Sequence, residues 1–122
     1  MSTNHTYLAM FLGSKTSARR MQWDALPQAE RRQKESEGMM QWTAWVQKHQ
    51  AVIVTMGGPL GKTKTVSSHG IADTSNELTA FTVVRAESHD AAARMFENHP
   101  NFAIFPGDSV QVMPVLAIPG AA

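Results

Sequence analysis

Directly after an apolar, β-branched run, residues 56–66 read M-G-G-P-L-G-K-T-K-T-V, a stretch dense in glycine and lysine. Gly57 and Gly58 permit a positive φ or a close backbone approach. Pro59 fixes φ and gives up a donor, and Gly61 lets the chain turn again before Lys62 and Lys64. A sharp loop rich in backbone amides and carrying two cations is suited to holding a small anion. His69 and Asp73 follow closely. Lys62, Lys64, His69 and Asp73 converge if the intervening excursion folds back over the loop. Histidine is the side chain whose unperturbed pKa lies near neutrality, so His69 is the candidate base with Asp73 as its partner. The plain alternative is a solvated turn histidine.

Gly61-Lys62-Thr63 invites a phosphate-loop reading, which fails on two counts. The pattern G-x-x-x-x-G-K-[ST] needs glycine at position 56, which is methionine, and it needs a helix to follow. Thr63, Lys64, Thr65 and Val66 favour a strand instead.

The same residues carry a family likeness. Gly57-Gly58-Pro59-Leu60 and Lys62-Thr63-Lys64 resemble a degenerate form of the Asp-Gly-Pro-Phe…Glu-Thr-Lys signature of YCII-related (DGPF-type) proteins, small bacterial cytoplasmic proteins of the dimeric α+β barrel superfamily. Further similar stretches are residues 7–12, residues 81–86 with the helix from His89, and Pro106-Gly107-Asp108 leading into residues 112–115; residues 13–38 match least. The resemblance implies a ferredoxin-like βαββαβ fold with an antiparallel sheet, pairing as a dimeric α+β barrel, and lends far more to fold than to chemistry. Three departures bear on any site: Gly57 replaces the acid, Leu60 the aromatic and Lys62 the glutamate. A His–Asp dyad of some relatives, with its histidine after the first strand, has no counterpart, because residues 6–48 contain no histidine.

Composition narrows the classes. The 122 residues are expected to form one domain that buries roughly two thirds of its unfolded surface. Lysine and arginine number 11 against 10 acids, and a net charge of +1 gives no field to gather nucleic acid or an anionic membrane. The absence of cysteine excludes a disulfide framework, a thiolate metal site and a cysteine nucleophile, and suits a reducing compartment. No apolar run approaches the roughly twenty residues of a bilayer span, and no secretion signal opens the chain. A cytoplasmic protein is expected, with no cofactor. No H-x-x-x-H or H-E-x-x-H spacing exists, so no metal site is expected either.

The scaffold reads as follows. Residues 7–12 (YLAMFL) form a strand with apolar side chains on both faces. Pro27 opens a short charged helix. After Gly38, residues 39–49 have helical period, with Met39, Trp42, Trp45 or Val46, and His49 on the inner face. Trp42 is either core or a flat wall for a ligand. Residues 51–56 form a second strand. Short strands at Thr65-Val66 and Ile71-Ala72 flank a tip at residues 67–70. Residues 79–86 alternate as a strand, Ser88 caps a helix that Pro100 stops, and residues 110–118 form the last strand, with Pro114 at an edge or bulge. His5 falls in a terminus, while His49, His89 and His99 sit at helix ends. Asp108 is either a cleft carboxylate or, the preferred reading, a turn residue and strand cap. Two helices cover one side of a four-stranded sheet, so its second apolar face needs a partner, and a homodimer closing sheet on sheet supplies it.

Two functions fit. One is a homodimeric small-ligand-binding or interaction module for an anionic or aromatic molecule, using Gly57, Gly58, Lys62 and Lys64 with Trp42 as an apolar wall. The other is a lyase- or isomerase-like enzyme, in which His69 abstracts a proton from a small cyclic or phenolic substrate while the Gly57-Gly58 amides or Lys62 stabilise the enolate.

Overall fold

The structure, a computed structural model, describes residues 5–120. Its strands are β1 (His5–Leu12), β2 (Ile53–Pro59), β3 (Thr63–Ser67), β4 (Gly70–Thr74), β5 (Leu78–Ala86) and β6 (Ser109–Pro114). Its helices are α1 (Ala18–Asp24), α2 (Gln28–Lys48), α3 (His89–Arg94) and α4 (Pro100–Ala103). β2, β5, β1 and β6 lie in that order in an antiparallel sheet, the ferredoxin-like arrangement, and β3 pairs only with β4 in a hairpin inserted between β2 and β5.

Strand alternation separates two faces of this sheet. Tyr7, Ala9 and Phe11 of β1 and Thr82, Val84 and Ala86 of β5 are buried, and they pack with Ala92, Phe96, Trp42 and Trp45. The opposite residues Leu8, Met10, Phe81 and Val83 are half-buried. In register, Leu8 stands between Val83 and Met113, and Met10 opposite Phe81. Val54 and Met56 of β2 are 47% and 61% exposed. The apolar second face read from the sequence is therefore present and uncovered in the single chain.

Several elements differ from the sequence expectation. The charged helix and the tryptophan helix are one, α2, which runs through Gly38. Gly38 is there for close approach: a Cβ would lie 2.6 Å from the Phe105 ring. The inner line is Gly38, Trp42, Trp45 and His49, whereas Met39 faces out, 56% exposed. α1 was not anticipated; Ser17 caps it by accepting the Arg20 N–H at 3.1 Å. Ser88 caps α3 as expected, accepting from the Ala91 N–H at 3.0 Å. That helix ends well before Pro100, in a turn that puts Asn98 at φ 57°, and Pro100 instead opens α4 at a position where its missing N–H costs nothing. His5 opens β1 opposite Ala86 rather than lying in a free terminus. β6 stops at Pro114, after which the Val115 N–H makes one more bond, to the Thr6 carbonyl at 2.9 Å, and residues 115–118 are exposed. β2 extends to Pro59 through two register shifts, so Gly57 and Gly58 belong to a strand. Gly57, at φ 69°, has the Phe81 carbonyl where a Cβ would be; Gly58 has neither constraint.

The core converges on His99, which is 0% exposed. Its Nδ1 accepts the Asn101 N–H at 3.0 Å, capping α4. Nδ1 must then be unprotonated, so the neutral ring carries its proton on Nε2, which has no hydrogen-bond partner among the described residues. Around it stand Trp42, Phe11 and Trp45, with ring centroids at 4.6, 4.9 and 5.0 Å. The Trp45 indole N–H donates to the Met95 carbonyl at 2.7 Å, tying α2 to the turn after α3. Burial, and then the charge of His49, push the His99 pKa down from 6.5 to about 4. His49 is itself lowered, by burial and then by Lys48.

Two outcomes follow from this packing. Gly57→Ala should lower unfolding free energy by about 3 kcal/mol, through strain at a positive φ and overlap with the Phe81 carbonyl, while Gly58→Ala should stay within about 0.5 kcal/mol. Urea denaturation of the two variants checks the contrast. His99 is neutral in the fold, so above pH 6.5 its contribution is fully present; as pH falls from 6.5 towards 4 only the unfolded chain takes up the proton. Stability should drop by roughly 3 kcal/mol across that window, and urea midpoints from pH 7 to pH 4 should lose much of this slope in His99→Asn.

Candidate functional site

At one end of the sheet lies an open cleft of about 1100 Å³. Its walls are residues 13–15 after β1, residues 60–64 between β2 and β3, residues 73–76 between β4 and β5, and residues 105–107 after α4. Arg20 of α1, Leu78 and Thr79 of β5 and Asn101 of α4 complete the lining.

Each wall is held by backbone bonding. The Asp108 carboxylate accepts the Ser14 N–H at 2.7 Å, and the Asp108 N–H donates to the Leu12 carbonyl at 2.9 Å. Asp108 is thus engaged as a clamp between β1 and β6. The Gly13 N–H donates to the Glu77 carbonyl at 2.9 Å, the Leu60 N–H to the Thr79 carbonyl at 2.9 Å, and the Thr79 hydroxyl to the Phe11 carbonyl at 3.0 Å. At the base of the hairpin, the Asn76 amide donates to the Thr63 hydroxyl at 3.3 Å. Opposite, the Arg19 guanidinium donates to the carbonyls of Phe102 and Phe105 at the end of α4. The Gly107 N–H bonds the Asn101 carbonyl at 2.9 Å, and a Cβ at Gly107 would overlap Asn101.

The lining carries the cations Lys15, Arg20, Lys62 and Lys64 against one carboxylate, Asp73. Lys64 and Asp73 face each other across the hairpin and bond at 2.6 Å, but both side chains are largely exposed, so the pair adds little stability. Arg20 is engaged by Asp24 at 3.2 Å. Among the described residues, Lys15 and Lys62 have no ion-pair partner. Hydroxyl and amide groups of Ser14, Thr63, Ser75, Asn76 and Asn101 interleave with the charges, and Leu60, Leu78 and Phe105 supply apolar surface. Chemically, this is a basic, hydrogen-bonding recess open to solvent.

Of the residues singled out in the sequence, Lys62, Lys64 and Asp73 meet at the cleft. His69 does not line it: it sits at the exposed far tip of the hairpin, where its backbone N–H donates to the Ser67 hydroxyl at 3.1 Å. Asp73 bonds Lys64 and not His69. Gly57 and Gly58 lie in β2, leading the chain to Leu60. Trp42 is in the aromatic core, at 6.1 Å from Phe105, so it backs a wall of the cleft through that ring. His89 stacks on Tyr7 with centroids 5.5 Å apart, its Nε2 at 2.7 Å from the Val112 carbonyl. Among the described residues no three His, Asp or Glu side chains gather as a metal site would require. Sequence reasoning missed Ser14, Lys15, Arg20 and Asn101, which come from the segment with least pattern and from a helix of four residues. His99-Pro100 was the one available signal there, as an N-cap followed by proline at the first helical position.

The chain matches no protein-family profile and no curated protein. Among solved structures it is similar to 5-chloro-2-hydroxyhydroquinone dehydrochlorinase (TftG) from Burkholderia phenoliruptrix AC1100, in complex with 2,5-dihydroxybenzoquinone. The TM-score is 0.50 at 17% identity, over 88% of this chain and 90% of that one. At that identity the likeness is one of fold, an α+β arrangement with an antiparallel four-stranded sheet of ferredoxin-like strand order.

Proposed function

We propose that the chain is a homodimeric small-ligand-binding or interaction module that works in the cytoplasm. Its cleft takes a small anionic, oxygen-rich molecule, with Lys62 and Lys64 at the charged end and Phe105, backed by Trp42, as the apolar side. The cleft's charge carries this reading: four cationic side chains face one carboxylate in a recess of about 1100 Å³. The resemblance of residues 57–64 to the YCII-related signature fits the same assignment. Nothing in the net charge of +1 supports nucleic acid as a partner, and no described helix is long and apolar enough to cross a membrane.

The second reading is a lyase- or isomerase-like enzyme with His69 and Asp73 as its acid–base pair. The specific observation on its side is the fold shared with a dehydrochlorinase. Against it, no histidine lines the cleft, and His69 is at the far tip of the hairpin. The binding reading is therefore preferred.

One experiment separates the two. The protein is titrated with 2,5-dihydroxybenzoquinone and with a set of phenolic, lactone and hydroxy-acid compounds, recording thermal shift beside turnover. Stabilisation without turnover is expected. Lys62→Ala should weaken binding about tenfold, the loss of one charge-assisted hydrogen bond, and His69→Ala should change nothing. Turnover that disappears in His69→Ala would establish the enzyme reading instead.

Pairing is checked separately. The apolar sheet face formed by Leu8, Met10, Phe81 and Val83 is the surface proposed to meet a second copy. Light scattering should give twice the chain mass. Met10→Lys, placing a charge at the centre of that face, should give a folded monomer.

A further inference from the structure

We propose that His99 is a positioning residue through which protonation in the core reshapes the cleft. Its imidazole Nδ1 accepts the Asn101 N–H at 3.0 Å, and Asn101 is at once a core residue, 7% exposed, and part of the cleft lining. The Asn101 carbonyl holds the Gly107 N–H at 2.9 Å, and its side-chain amide donates to the Ser109 carbonyl at 3.3 Å. One ring atom therefore fixes the first turn of α4, the turn at Gly107 and the start of β6. A proton on Nδ1 converts that acceptor into a donor facing another donor, so the cap is lost at the moment a charge appears in the core.

The groups around the ring oppose that proton. From β1 comes Phe11, from the turn after α3 comes Phe96, and from α2 come Trp42 and Trp45, none of them charged. The titratable neighbour is His49 at the end of α2, stacked on Trp45 with centroids 4.7 Å apart and followed outward by Lys48; both become or remain cationic in acid. The Arg19 guanidinium sits at the other end of α4, on the Phe102 and Phe105 carbonyls. Among the described residues no carboxylate bonds the ring to stabilise a charge on it. When the proton does bind, the wall at Asn101 and Gly107 loosens while the sheet, held by its own ladders, remains.

The functional meaning of this coupling rests on the cleft being the ligand site, but its test uses the ligand-free protein, so the two can fail independently. The His99 ring and the backbone amides of Asn101, Gly107 and Val84 are followed by NMR from pH 7.5 to 3.5. Asn101 and Gly107 are expected to titrate with the ring at a common midpoint, and the Asn101 amide to exchange at least tenfold faster below it, while Val84 at the centre of β5 stays fixed. In His99→Asn, whose side chain can cap but not titrate, those movements should vanish. His49→Gln should raise the shared midpoint by removing the neighbouring positive charge, and it decides the matter if His99→Asn does not fold. The proposal is overturned if the ring titrates while Asn101 and Gly107 do not, if Val84 collapses at the same midpoint as in simple unfolding, or if the movements persist in His99→Asn.

Discussion

A four-stranded sheet has two faces, and this chain supplies helices for one of them. Alternation along β1 and β5 forces the matter: Tyr7, Ala9, Phe11 and Val84 go beneath the helices, so Leu8, Met10, Phe81 and Val83 are driven to the other side. A slip of one residue would exchange the two sets without removing either. At roughly 25 cal/mol per Å² of apolar surface removed from water, a face of this composition favours association over exposure. The proposed dimer is the response that leaves the observed fold unchanged.

The cleft exists because the second βα unit does not follow directly on the first. Between β2 and β5 the chain leaves the sheet, forms the β3–β4 hairpin and returns, and the exit at residues 60–64 and the return at residues 73–76 stand opposite the β1–α1 connection. Hydrogen bonds from Leu60 to Thr79 and from Gly13 to Glu77 fix both rims to the sheet. The side chains on these rims are held by little, as the exposed Lys64–Asp73 pair illustrates. The backbone of the site is thus rigid while its charged groups are adaptable, which suits selection by charge more than by shape.

What the sequence discloses and what it hides divide along the range of the interactions. β1, β2, β5 and the β3–β4 hairpin are legible because their β-branched and aromatic alternation is local, and Ser88 is legible as a cap because its bond closes within one turn. Gly38 misleads: read locally it breaks a helix, yet in the fold it makes room for Phe105, a residue far along the chain. Pro100 misleads in the same way, since it can end one helix or begin another, and only Asn98 at positive φ settles which. At the site, Lys62, Lys64 and Asp73 are adjacent enough for their meeting to be read from a hairpin. Lys15, Arg20 and Asn101 reach the cleft only through packing of α1 and α4, whose short lengths leave no period to read.

Among the histidines, proximity to the lysine loop points to His69, but the residue with the unusual environment is His99. Stability alone gives a poor account of an imidazole at that position. An N-cap is worth about 1 kcal/mol, and serine would provide it with a single polar side-chain atom. The Nε2–H, unpartnered among the described residues, costs about 1–3 kcal/mol when buried. A phenyl ring would fill the same space with no orphan donor and no cap. What histidine adds over each alternative is a proton-binding site in contact with the wall of the cleft, and that addition is what the extra cost in stability has to be weighed against.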